Sequence, residues 1–226
     1  DSRGCTPMKV LVGTDFHGNK EAFEAFALKA EEEHVDVMVI CGDITHFGSL
    51  QEAKNLLSLL TGLRIPILFV PGNCDPPSLT GVDVEGARCI HGKNVAYGDL
   101  RFLGVGGSPP TPFSTPFEMT EEKIMNTLNK AADNLSFDRW SVLVSHAPPF
   151  NTKLDKVFLG HHVSSRSVRR FIEERKPSVV FCGHIHEAKG EDRINGTILV
   201  NPGSARHWNY AKVTFGDDIK VEFSLL

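Results

Sequence analysis

From Met8 onward the chain switches between short apolar runs and longer stretches with a helical rhythm. "MKVLVG" is largely apolar and breaks at Gly13, as a strand covered on both faces would. In "NKEAFEAFALKAEEEH", Ala22, Phe23, Phe26, Ala27 and Ala30 share one stripe with acids opposite, which predicts an amphipathic helix. The same reading places a strand in "VDVMVICGD", a helix in "SLQEAKNLLSLLT" and a strand in "IPILFVPGN". A β-α-β-α-β order implies parallel strands joined by right-handed crossovers.

The middle of the chain changes character. "ARCIHGKNVAYGDLRFLGVGG" predicts short strands in hairpins, separated by glycine-containing turns. "SPPTPFSTPF" packs four prolines into ten residues and reads as a stiff surface loop. "EMTEEKIMNTLNKAADNL" predicts a helix capped by Thr120. "SVLVSHAPP" is another buried strand, and a loop through His161 and His162 leads to a helix in "SSRSVRRFIEERK". "SVVFCGHIH" is a strand, followed by three strands expected to be antiparallel in "GTILVNPGS", "NYAKVTFG" and "DIKVEFSLL". No repeat, low-complexity segment or linker interrupts the pattern. The expectation is an α/β fold, one domain over residues 8–226, with two packed β-sheets flanked by helices. Residues 1–7 read as a tag remnant or a loose tail.

The 226 residues, 41% of them hydrophobic, suffice for a substantial core. A net charge of -4 gives no basic surface for a stable nucleic-acid partner. No apolar run approaches the roughly 20 residues of a membrane helix, and "DSRGCTPMKV" lacks the apolar segment of a signal peptide. The five cysteines are odd in number and widely spaced, so a disulfide framework is not expected and a cytoplasmic setting is.

The chemistry gathers at strand ends. Asp15 and His17 follow the first strand, Asp43 the second and Asn73 the third; His146, then His184 and His186, follow two later ones. In open α/β sheets ligands bind outside the carboxyl ends of strands. In extended chain, residues two apart point the same way. Asp15 and His17, or His184 and His186, would thus face one site while Phe16 or Ile185 turns into the core. Two carboxylates, four imidazoles and an amide suit divalent transition ions (Mn, Fe, Zn or Ni) better than Mg or Ca. Seven donors exceed one tetrahedral ion and fit two ions sharing a bridging carboxylate. One histidine at a strand end is ordinarily structural; the convergence of all seven outweighs that.

In order, "TDFHG", "CGDITH", "PGNCD", "VSHAPP" and "CGHIHE", with "NPGS" near the end, resemble the calcineurin-like metallophosphoesterases from about Met8 to the C-terminus. "SHAPP" and "GSPPTPFSTPFEM" further resemble their Icc-related predicted phosphoesterase branch. The resemblance implies a four-layer β-sandwich with flanking helices around a dinuclear site. Asp15, His17, Asp43 and His186 would hold one ion, and Asn73, His146 and His184, with bridging Asp43, the other. Asn73, Cys74 and His146 would lie at the catalytic centre. The implied activity is hydrolysis of phosphate esters, diesters foremost, by a metal-bridging hydroxide acting on a small substrate. A homo-oligomer is compatible with the sequence.

The family commonly has His where this chain has Cys74. No cysteine here has an Arg six positions on, as a phosphatase nucleophile would need. Cys74 is therefore a thiolate ligand, a filler of imidazole space or a weak proton donor. His161, His162 and Arg206 sit on loops that can reach a substrate. His46 is a group behind the ligands or a helix-start residue, and His34 and His91 read as surface residues. Two other functions compete with hydrolysis. A non-catalytic scaffold of the same fold would bind a protein partner, but such members usually lose ligands. A nuclease subunit would call for a basic groove.

Overall fold

The computed structural model describes residues 6–137, 140–158 and 160–226. Among these, twelve strands form two six-stranded mixed sheets. In the first, β1 (Met8–Gly13), β2 (Val37–Ile40), β3 (Ile67–Phe69) and β4 (Ala87–Cys89) run parallel. In the second, β5 (Asn94–Tyr97), β6 (Leu100–Val105), β7 (Ser141–Ser145), β8 (Val179–Phe181), β9 (Gly190–Ile194) and β10 (Thr197–Asn201) lie in the order β5-β6-β7-β8-β10-β9. The chain then returns to the first sheet, where β11 (Asn209–Phe215) and β12 (Ile219–Leu225) pair antiparallel beside β1.

Alternation within the apolar runs builds the layers. Val10, Val12, Val39 and Leu68 face Phe102, Val142, Val144 and Phe181 between the sheets. Their neighbours Leu11, Met38, Ile40 and Phe69 point outward. There they meet Phe23 and Phe26 of α1 (Lys20–Glu32) and Leu57 of α2 (Leu50–Ser58). On the far side Leu143 and Val180 pack on Ile124 and Leu128 of α3 (Glu121–Ala131) and Phe171 of α4 (Arg166–Arg175). Strands buried on both faces need no polar positions, which is why they read as continuous apolar segments. Asn19, Ser49, Thr120 and Ser165 cap the four helices, each side chain accepting a first-turn N–H.

Three sequence expectations are corrected. β4 forms no hairpin; it lies parallel to β3, and only β5 and β6 make the expected antiparallel pair. β10 is parallel to β8 rather than antiparallel. Its antiparallel partner is β9, "GEDRI", which the pattern missed because only Ile194 of that edge strand is buried. Cys41, Cys74, Cys89 and Cys182 are free and buried; Cys5 lies outside the described residues. Among the described residues no helix is long and apolar enough to cross a membrane.

Candidate metal centre

All seven strand-end residues meet at one edge of the sandwich. Asp15, His17, Asp43 and Asn73 come from the first sheet, and His146, His184 and His186 from the second. Backbone bonds between the loops fix this meeting. Asp15 N–H donates to Gly42 O, His17 N–H to Asp43 O, and Gly183 N–H to His146 O. The loops approach so closely that side chains are excluded between them. A Cβ on Gly72 would collide with the Asp43 carboxylate, and one on Gly183 with the Thr14 hydroxyl.

The paired residues face the site by a route the extended-chain argument did not foresee. Asp15, His17, Asp43 and His184 all have left-handed backbones, with φ of 54°, 48°, 52° and 68°. Such strain in non-glycine residues clusters at functional sites and persists because surrounding structure enforces it. Phe16 still turns into the core, fully buried against Phe23 at 4.1 Å between ring centroids.

Two groups of donor atoms stand either side of Asp43. On one, His17 Nε2 is 3.0 Å from His186 Nε2, and Asp15 Oδ1 is 3.4 Å from the latter. On the other, His146 Nε2 is 2.8 Å from Asn73 Oδ1, and the His184 ring lies 5.1 Å from that of His146. Asp43 presents Oδ2 to His17 Nε2 and Oδ1 to His146 Nε2, each at 3.5 Å.

At His146 the Nδ1 proton points away from the centre. His146 Nδ1 donates to Cys41 O at 2.7 Å, because a carbonyl only accepts. In the neutral ring this leaves Nε2 as the lone-pair atom, 2.8 Å from the Asn73 oxygen. The Asn73 amide donates the other way, to Thr115 Oγ1 at 3.1 Å. Two lone-pair atoms converging in a buried site fit a shared cation. Burial pushes the His17 imidazole down to about 4 and that of His184 to about 3, so both are neutral donors. Burial, then the neighbouring Asp15 and Asp75 carboxylates, raises the Asp43 carboxyl. Asp15 moves the opposite way: burial opposes its ionisation, but the His186 hydrogen bond and nearby histidines outweigh it. Two buried carboxylates and converging imidazole lone pairs fit divalent transition ions.

A supporting shell, mostly unread in the sequence, holds these donors. Asp75 is buried and accepts from Ile44 N, Thr45 N, Thr45 Oγ1 and Gly72 N at 2.8–3.1 Å, clamping the loops after β2 and β3 together. Within the "NPGS" segment, Asn201 donates to Ile185 O and Ser204 to Asp15 O. His184 N–H and Thr14 Oγ1 donate to Asp15 Oδ2 at 3.0 and 2.9 Å. His46 Nδ1 lies 3.2 Å from His17 Nδ1, behind that side chain. Its side-chain bonds sit far apart in sequence, so no local pattern announces the shell.

The three substrate candidates are placed differently. His162 is tied to the buried Asp155 carboxylate at 2.6 Å and braces its own loop. His161 is exposed on that loop. Arg206 is exposed, but its backbone N–H donates to Asp15 O. His91, expected at the surface, is instead largely covered: it packs on Phe117 and accepts from Gly106 N at 2.9 Å.

Two mixed sheets with flanking helices and a buried Asp/His/Asn cluster at the strand ends define a phosphoesterase-type fold. Residues 8–216 match the calcineurin-like phosphoesterase superfamily domain, and the chain belongs to that family. An uncharacterised protein of Methanocaldococcus jannaschii is 40% identical over 207 residues, covering 90% of this chain and 91% of that one. A Rhodopseudomonas palustris protein named a probable cyclic nucleotide phosphodiesterase is 29% identical over 216 residues, 79% of this chain and 72% of its own. A dimetal phosphatase from Danio rerio shares the fold, with a TM-score of 0.70 at 11% identity over 96% of this chain and 95% of that one.

Proposed function

We propose that the protein is a metal-dependent phosphodiesterase acting on a small phosphate ester. Asp15, His17, His186 and Asp43 hold one divalent transition ion, and Asn73, His146, His184 and Asp43 the other. The observation that carries this reading is the position of Asp43, one oxygen turned to each donor group at 3.5 Å. When bound, such a pair of ions supplies Lewis acidity toward a phosphoryl oxygen and water acidic enough to yield a nucleophile at neutral pH.

The chain's own residues supply preorganisation. Cys41 O fixes the His146 tautomer, and Cys74 N–H holds Asp43 Oδ1 at 2.8 Å. Thr14 and the His184 backbone orient Asp15, while Thr115 turns the Asn73 oxygen inward. All seven donors are present, which a scaffold that has lost its chemistry would not need. Preference for diesters is supported by the name of the Rhodopseudomonas relative.

The test is hydrolysis of bis(4-nitrophenyl) phosphate before and after chelation, with metal content measured by elemental analysis. Activity is expected to vanish with the metal and return with Mn²⁺. Full turnover by metal-free protein would sink the reading.

A further inference from the structure

A cleft of about 800 Å³ opens directly beside Asn73 and His184. That lies within the size range of small-ligand sites. One wall is the proline-rich loop, with Pro110, Pro112 and Phe113; the other carries Val157, Val163 and Ile185. Among the described residues, Glu187 is the one carboxylate lining it, and no lysine or arginine does. Phe113 is 80% exposed and Val163 47%. Apolar side chains held in water next to a polar centre mark a surface kept for a ligand.

Both walls are built in advance. Glu118 Oε1 accepts from Thr111 Oγ1, Thr115 N and Thr115 Oγ1 at 2.7–2.8 Å, and Thr111 Oγ1 accepts from Phe113 N. The opposite loop is clasped by Asp155, which accepts from Asn151 N, Thr152 N and His162 Nδ1. Val163 N–H donates to the Asp155 backbone oxygen. Two loops each folded around a carboxylate leave little entropy to lose when a ligand enters.

We infer that this cleft is the subsite for a planar, uncharged ring carried by the phosphate ester, an aryl group or a nucleobase. It takes the ring while the phosphate lies at the Asn73 and His184 end. The assignment rests on the proposed reading of those two residues as part of the metal centre. An aliphatic methyl group would leave the cleft's apolar walls in water. A substituent bearing its own negative charge at the far end of the ring would meet Glu187, where no lysine or arginine among the described residues lines the cleft to offset it.

The experiment compares phenylphosphonate with methylphosphonate, neither of which can be hydrolysed, binding to the Mn²⁺-loaded protein by calorimetry. Burial of a ring-sized apolar surface predicts about 10–100-fold tighter binding of the phenyl compound. The ratio is expected to collapse toward one in Phe113→Ala/Val163→Asp, both exposed positions. 4-Carboxyphenylphosphonate is expected to lose the advantage and to regain it in Glu187→Gln. Equal affinities in the wild type, or a ratio unchanged in the double variant, would overturn the subsite. If the ratio appears but no ester is turned over, the subsite stands and the hydrolase reading falls. If diesters are hydrolysed while the ratio is one, the reverse holds. Binding of neither phosphonate would overturn both.

Discussion

The backbone N–H of Cys74 donates to Asp43 Oδ1 at 2.8 Å, so residue 74 holds the central carboxylate whatever its side chain is. The thiol itself lies 3.7 Å from Asn73 Nδ2. Its sulfur, a His17 nitrogen and a His46 nitrogen lie within 4.8 Å of one another. Burial, then the Asp43 and Asp75 carboxylates, pushes the thiol well above its ordinary range. A protonated thiol is a poor nucleophile and a weak hydrogen-bond donor.

Cys74→Ala keeps the backbone bond and is therefore expected to cost less than about tenfold on aryl diesters. General-acid assistance is typically worth about 10²–10⁴-fold, and a thiol supplies little of it. The wild-type rate should fall steeply as leaving-group pKa rises. Cys74→His should flatten that slope, gaining most on alkyl esters. A leaving-group series on the three proteins checks this. Equal slopes for wild type and Cys74→His, or collapse of Cys74→Ala on every ester, would show that the sulfur is a ligand or a packing group.

Asp43→Asn removes the charge that faces both donor groups while keeping the side chain's shape. Metal occupancy is expected to drop, and turnover to fall by about 10²–10³-fold or more, the loss that follows removal of one preorganised charge-stabilising group. Elemental analysis and single-turnover rates check it. Near-normal values for both would mean that Asp43 does not bridge.

What the sequence disclosed and what it hid follow from distance along the chain. The α1 stripe read from spacing is the set that is buried: Ala22, Phe23, Phe26, Ala27 and Ala30. Helical amphipathicity is local, so it is legible. That Asp15, Asp43, Asn73 and His146 close their strands was legible because each follows an apolar run. The direction of β10 was not, since pairing partners lie far apart in sequence. Nor were the left-handed backbones at Asp15 and His184, which inter-loop bonds such as His184 N–H to Asp15 impose. Asp75 stood in the quoted "PGNCD" stretch without a role, because its four donors come from Ile44, Thr45 and Gly72.

Thr115 links the proline-rich loop to the centre. Its hydroxyl accepts from Asn73 Nδ2 and donates to Glu118 Oε1 at 2.8 Å. Thr115→Val keeps the shape and removes both bonds, freeing the Asn73 amide to rotate. Metal affinity is expected to weaken by about 10–100-fold, as for other groups that orient a ligand. Thr115→Ser should restore it. Calorimetric Mn²⁺ titration reads the effect, with thermal unfolding of the metal-free protein as a control on folding. Unchanged affinity in Thr115→Val would show that Asn73 is oriented by something else.

His91 makes stability depend on pH away from the candidate metal centre. Burial, then Lys123, Lys130 and Lys93, lowers its imidazole from 6.5 to about 4. The folded protein keeps it neutral, with Nδ1 accepting from Gly106 N. Between those two values the unfolded chain binds a proton that the folded one does not. Stability from this residue is thus complete above pH 6.5 and is lost as pH falls toward 4, at up to about 1.4 kcal/mol per pH unit. His91→Asn keeps an acceptor near Nδ1 and cannot titrate in this range. Denaturant unfolding of metal-free wild type and variant from pH 7.5 to 4 isolates the contribution, because every other group is common to both. The wild type is expected to lose about 3 kcal/mol more than the variant across the window. Parallel curves would show that the folded protein accommodates the charged imidazole at no cost.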